Sequence, residues 1–307
     1  MRKLVTGVVL LMLAEPASGP ALGQVVYRTV ADPLVRVSVT VLDDEGALVK
    51  GLTSKDFEVL EDGRPQKIGL FAHGDDLPAD LAFHVGLLLD TSGSMEDDIR
   101  FARTAAIRFL RLLPEPDDMT LVDFATEVRL ARFQPRDFPR LVERIRGRDT
   151  EGWTALYDAL SVYLHGAFDL EGDKILALYT DGGDTSSTAT FAEVLDLVRT
   201  SDVTIYAIGL LEHQPPSVRL EQRLRLQQIT EESGGQAFFP LSAEELDEAY
   251  ARVLAEVEGR YILGYISTNQ RQDGTWRELR VRLKRGAATD AKIRTRKGYF
   301  ALYREGQ

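Results

Sequence analysis

The chain has 307 residues, 44% of them hydrophobic and 28% charged, and its 37 basic against 48 acidic side chains give a formal net charge of -11. Such an apolar fraction builds a core for one large or two ordinary domains, and a uniformly acidic chain repels phosphate backbones, so no nucleic acid is expected as a partner. Cysteine is absent, which removes disulfide scaffolds, thiol catalysis and cysteine metal sites, and the four histidines (His73, His84, His165 and His213) show no paired spacing such as HExxH, which speaks against a zinc hydrolase.

Residues 1–23 read as an export signal. Arg2 and Lys3 form a short basic start, an apolar stretch runs from Leu4 to Ala14, and small residues lead to Ala21-Leu22-Gly23 as a cleavage site before Gln24. The apolar stretch is half the roughly 20 residues that a membrane span needs, so cleavage is expected rather than anchoring. No later segment is long and apolar enough to cross a bilayer. The expectation is an exported protein, periplasmic or secreted, whose core holds without disulfides.

Residues 24–79 form an N-terminal β segment. Val35, Val37, Val39 and Val41 alternate with Arg36, Ser38 and Thr40, the period of a strand with one buried face. Asp43-Asp44-Glu45-Gly46 is a turn, and Glu61-Asp62-Gly63 is another, between strands at Phe57–Leu60 and Gln66–Phe71.

Residues 80–257 change character. Phe83–Leu89, Thr120–Phe124, Ile175–Thr180 and Val203–Gly209 are short apolar runs, as strands buried on both faces should be. Amphipathic stretches separate them. Ile99, Ala102, Ala106, Phe109 and Leu110 recur at helical spacing, as do Phe191, Leu195, Leu197 and Val198. Asp137–Arg146, Leu156–Phe168, Arg219–Glu232 and Ala243–Glu256 are further helices. The alternation predicts an α/β domain with a doubly wound, mostly parallel sheet and right-handed crossovers. Ligands of such sheets bind beyond the carboxyl ends of the strands.

Residues 258–307 return to period two, with Leu279, Val281 and Leu283 alternating with Arg280, Arg282 and Lys284, and Asp273-Gly274 as a hairpin turn. Arg271 to Arg304 holds 11 basic and three acidic residues. This is either a patch for an anionic partner or the solvated face of a sheet, and the second is favoured. Each β segment is small, so the two are expected to pair into one β-sandwich-like domain into which the α/β domain is inserted.

Three loops carry the candidate chemistry. Asp90-Thr91-Ser92-Gly93-Ser94 closes the first buried strand, Gly152-Trp153-Thr154-Ala155 opens a helix, and Thr180-Asp181-Gly182-Gly183-Asp184 closes a third run. Carboxylate and hydroxyl oxygens suit a hard divalent cation such as Mg²⁺, with Mn²⁺ or Ca²⁺ possible. Ser92, Ser94 and Thr154 offer neutral oxygens, while Asp90 and Asp181 offer charge, directly or through water. So few carboxylates leave the cation electrophilic and ready for an outside oxygen. The plain alternatives are that Ser92 or Ser94 caps a helix and that Asp181-Gly182 is an ordinary turn. Asp158 reads as a surface or packing residue, and Trp153 as either an exposed contact or a lid.

These residues resemble the metal-ion-dependent adhesion site of von Willebrand factor type A domains, whose pattern is Asp-x-Ser-x-Ser, a later Thr and a later Thr-Asp-Gly. Asp90, Ser92, Ser94, Thr154 and Asp181 match it in order, and the resemblance covers about residues 80–257. The flanks resemble the bacterial VWFA-related proteins of acidobacterial type. The matching segments are Gly51-Leu52-Thr53-Ser54-Lys55-Asp56-Phe57 with Glu61-Asp62-Gly63, then Tyr261-Ile262-Leu263-Gly264-Tyr265 and Arg296-Lys297-Gly298-Tyr299. The resemblance implies that Ser92, Ser94 and Thr154 bind metal directly and that Asp90 and Asp181 act mostly through water. It implies a protein-binding module whose partner presents an Asp or Glu carboxylate.

Two other functions compete: a Mg²⁺-dependent hydrolase, and a passive envelope scaffold with a stabilising metal. Against the first, no G-x-S-x-G elbow surrounds Ser92 or Ser94, there is no P-loop, and His84 on a buried strand reads as core. No enzymatic activity is expected.

Overall fold

The computed structural model describes residues 34–73, 82–284 and 291–301. The export signal expected at 1–23 lies outside these residues. In chain order the strands are β1 (Leu34–Leu42), β2 (Phe57–Glu61), β3 (Arg64–Gln66), β4 (Ile68–His73), β5 (Phe83–Asp90), β6 (Asp118–Phe124), β7 (Val128–Phe133), β8 (Asp173–Thr180), β9 (Val203–Gly209), β10 (Gln236–Phe238), β11 (Tyr261–Ile266), β12 (Trp276–Leu283), β13 (Lys292–Arg294) and β14 (Gly298–Phe300). The helices are α1 (Ile99–Leu112), α2 (Phe138–Arg146), α3 (Leu156–Ala167), α4 (Phe191–Thr200), α5 (Pro216–Ser233) and α6 (Ala243–Gly259).

The protein is mixed α/β, with a mostly parallel sheet in one unit and two antiparallel sheets beside it. The central sheet runs β10-β9-β8-β5-β6-β7, and only β7 is antiparallel to its neighbour. All residues of β6 and β9, and all but the first of β5 and β8, are buried, because helices cover both faces. Ala102, Ala106 and Phe109 of α1, Leu141 of α2 and Tyr250 of α6 share one core with Leu87 and Ala177. Leu160 and Leu164 of α3, Val194 and Val198 of α4 and Leu226 of α5 share the other with Leu88 and Leu178. From β5 the chain steps to β6 on one side and returns to β8 on the other. The sheet therefore reverses direction at the carboxyl end of β5, where open α/β sheets form a crevice.

The buried runs matched the strands to within two residues, since burial on both faces leaves a continuous apolar signal. On α4 the inward residues are Val194, Leu195 and Val198, with Leu197 only half-buried. Thr190 and Glu193 close the start of this helix with a reciprocal capping box.

The flanking segments build two four-stranded sheets, β13-β1-β11-β4 and β14-β12-β2-β3. Val37, Val39 and Tyr261 from one sheet and Phe57, Val59 and Val281 from the other meet in a single apolar core, the arrangement of a sandwich. Asp62 and Gly63, at φ 48° and 74°, form the two-residue turn between β2 and β3. Two expectations are corrected. The strand expected over Gln66–Phe71 is two, β3 and β4, because the chain crosses between sheets at Lys67. Asp273-Gly274 is not a hairpin turn. It lies on the crossing from β11 to β12, which belong to different sheets, and β12 pairs with β2 and β14. The basic tail largely neutralises acids of this chain: Arg280 pairs with Glu278, Arg282 with Glu58, Lys297 with Glu232 and Arg294 with Glu256. The last two, with Arg260 to Asp173 at the start of β8, join the two parts of the molecule.

Candidate functional site

Asp90 is the last residue of β5 and is 0% exposed. Its Oδ1 accepts the Ser92 amide at 2.9 Å and its Oδ2 accepts the Thr180 hydroxyl at 2.6 Å. The turn after Asp90 is tied to the neighbouring strand, since the Thr91 amide and hydroxyl both donate to the Phe124 carbonyl, at 2.7 and 3.0 Å. Met95, fully buried, plugs the turn into the core below. Ser92 is buried, Ser94 is exposed, and their hydroxyl oxygens lie 3.1 Å apart. Ser92 opens the short 3-10 turn Gly93–Met95 without a side-chain capping bond, and α1 is preceded by Asp98, so neither serine spends its hydroxyl on a cap.

The second loop touches the first. The Gly93 amide donates to the Gly152 carbonyl at 3.1 Å and the Glu151 amide to the Thr91 carbonyl at 3.0 Å. Gly152 sits at φ 72°, a backbone region that side chains disfavour, and this bends the loop so that Thr154 turns inward and is buried. Trp153 is 67% exposed, so its ring does not pack over the loop as a lid.

The third loop closes over both. Asp181 is 2% exposed; its Oδ1 accepts the Gly183 amide at 3.1 Å and its Oδ2 the Gln214 side-chain amide at 2.8 Å. Its own-loop bond is the ordinary turn contact, whereas the Gln214 bond comes from a different strand end. The Thr154 amide donates to the Thr185 hydroxyl at 2.9 Å, and the Thr154 carbonyl accepts the Thr185 amide at 2.8 Å. Asp158 and Asp184 stitch these loops together. Asp158 accepts the Thr188 and Ala189 amides at 3.0 and 2.9 Å, and Asp184 accepts the Tyr157 amide at 3.2 Å.

The structure thus gathers all five sequence-predicted residues into three mutually bonded loops at one sheet edge. Its electrostatics are unbalanced. Neither Asp90 nor Asp181 forms an ion pair among the described residues, and burial, then the Asp181 charge, pushes the Asp90 carboxyl up to about 7. Buried carboxylates without a cation are costly. The Ser92 and Ser94 hydroxyls hydrogen-bond each other at 3.1 Å, and adjacent ligands of an octahedral cation at about 2.1 Å stand about 3.0 Å apart, so both oxygens can turn to one cation with little movement. The donor set therefore fits a hard divalent cation. Among the described residues no three His, Asp or Glu side chains cluster as a metal-binding group.

Sequence reasoning missed a fourth loop. After β9, Gln214 reaches Asp181, and His213 meets Asp98 at 3.1 Å, which raises its imidazole above the usual range. Their position after a fourth buried strand, at the same edge, was the available signal.

The model of the von Willebrand factor type A domain matches residues 84–252. A comparison with curated proteins matched none. Among solved structures, the chain is similar to a von Willebrand factor type A protein from Catenulispora acidiphila, with 14% identity over 84% of this chain and 76% of that one and a TM-score of 0.49. It is also similar to the pilus adhesin SpaC from Lactobacillus rhamnosus GG in an open conformation, with 11% identity, 83% and 49% coverage and a TM-score of 0.49. A third is the PilB minor pilin from Streptococcus sanguinis, with 14% identity, 60% and 63% coverage and a TM-score of 0.47. The chain spans less than two thirds of the pilin and of the adhesin.

Proposed function

The chain belongs to the von Willebrand factor type A domain family, and on that footing we propose that it is an exported protein-binding module whose ligand is held through a divalent cation at a metal-ion-dependent adhesion site. The observation that carries this is the pair of buried carboxylates, Asp90 and Asp181, with no cationic partner among the described residues, beside two hydroxyl oxygens 3.1 Å apart. Ser92, Ser94 and Thr154 would hold the ion directly, and Asp90 and Asp181 would balance its charge through water. Mg²⁺ suits the compact hydroxyl set, and Mn²⁺ or Ca²⁺ takes the same oxygens. The ion supplies a Lewis-acid position for one carboxylate oxygen of a partner's Asp or Glu. Exposed Glu96 and Asp97 beside the serines favour a single well-placed carboxylate over an acidic run at this position.

Catalysis is not part of this proposal. No described hydrogen bond joins an imidazole to Ser92 or Ser94, and His84 is committed to Asp118 and the Glu171 carbonyl at the opposite sheet edge. Export through residues 1–23 puts the protein in the periplasm or outside the cell, and its flanking segments resemble the acidobacterial-type VWFA-related group.

The test is thermal unfolding with Mg²⁺ or EDTA. Mg²⁺ raises the midpoint of the natural protein, and Asp90→Ala and Ser92→Ala, both folded by circular dichroism, lose that rise. An undiminished rise in both variants rejects the site.

A further inference from the structure

An acidic chain concentrates arginine along α1, the helix that follows the first of the three loops. Arg100, Arg103, Arg108 and Arg111 of α1 and Arg146, the last residue of α2, line a cavity of about 440 Å³ with Ile107 at its base, and no carboxylate lines it. The charges are poorly compensated. Arg108 pairs with Asp247 of α6, Arg111 lies 6.0 Å over the Phe138 ring, and Asp149 acts on Arg103 only through space. The Arg103 Nε and Nη2 atoms are buried without an acceptor. Unpaired buried donors and crowded like charges both cost free energy, and a ligand with several anionic groups relieves both.

The shape narrows the class. From Arg100 to Arg111 the helix rises about 16 Å, so these guanidinium groups cannot converge on one compact phosphate. The same length spans about five residues of extended polypeptide, whose alternate side chains share a face. Guanidinium forks match carboxylates bidentately, and lysine is absent from the lining. Ile107 offers an apolar floor, and no aromatic ring lines the groove for stacking a base. From this we propose that the groove between α1 and the end of α2 is a second, metal-independent docking site for an extended acidic segment of a partner protein.

The experiment is fluorescence anisotropy with a labelled peptide of alternating glutamate and serine, at low salt and in EDTA, so that no carboxylate can bind through a cation. The peptide binds the full chain, and the matching lysine-serine peptide does not. Arg103→Gln and Arg146→Gln each weaken binding about tenfold, the loss of one charge-assisted hydrogen bond. Arg146 is exposed, so its variant keeps the fold even if Arg103→Gln does not. Asp90→Ala binds as the natural protein does, and affinity falls steeply with added salt. No binding at low salt, binding unchanged in Arg146→Gln, or tighter capture of pyrophosphate or a polyuronate oligosaccharide than of the peptide would overturn the proposal.

Discussion

Replacing Asp90 with asparagine keeps the shape of the first loop and removes a charge from its deepest point. The Asp90 carboxyl moves from 3.8 to about 7 on folding. Between those values the folded chain holds a proton that the unfolded chain has released, so this group makes stability fall as pH rises through that window. Above it the cost is constant, on the order of 4 kcal/mol at 1.36 kcal/mol per unit. Asparagine escapes that cost and still accepts the Ser92 amide. Its amide nitrogen, however, faces the Thr180 hydroxyl, which now donates to Oδ2 and itself accepts the Gly182 amide at 3.0 Å. That mismatch costs about 1–2 kcal/mol. Without metal at about pH 8, Asp90→Asn should therefore be more stable than the natural protein by about 2 kcal/mol. At about pH 5 the natural carboxyl is protonated and the advantage disappears. Added Mg²⁺ reverses the order at the higher pH, because only the carboxylate gains a cation. Urea unfolding in EDTA at both pH values, then with Mg²⁺, measures each difference. A variant equally destabilised at both would refute the reasoning.

Three other perturbations test the packing. A Cβ at Gly86 would run into the ring of Tyr163, which lies across β5; Gly86→Ala should cost about 1–3 kcal/mol, with part of the loss recovered in Gly86→Ala/Tyr163→Leu by denaturant titration. Thr190→Ala removes the capping box of α4 and should cost about 1 kcal/mol by the same assay. Asp173→Asn leaves the Arg260 guanidinium, which burial pulls down to about 10, without its carboxylate. The single change should cost about 3–5 kcal/mol, and more than Asp173→Leu/Arg260→Leu.

The parts legible in the sequence were those with a strong local signal. β5, β6, β8 and β9 are continuous apolar runs, and the polar residues that follow β5 and β8 stand out because a buried strand ends there. The edges of the sheet were not legible. β7 is an antiparallel edge strand whose residues are half-buried or exposed, and β10 has three residues, too few to show a period. At Lys67 the chain changes sheet across a single residue, too short a break for periodicity to reveal. Gln214 was missed because its only signal was its place after a buried strand; a lone glutamine carries no motif, and the fold is what brings it to Asp181.

The register of β4 and β11 sets His73 opposite Tyr261, the residues on either side of the chain that holds the α/β unit. That ladder clasps both ends of the unit within one strand spacing. While the sandwich stays folded, the unit can melt only into a closed ring. Cross-linking a loop of that length withholds about 5 kcal/mol of entropy from the molten state. A cysteine-free chain thereby gains from strand pairing the kind of tether that other proteins draw from a disulfide.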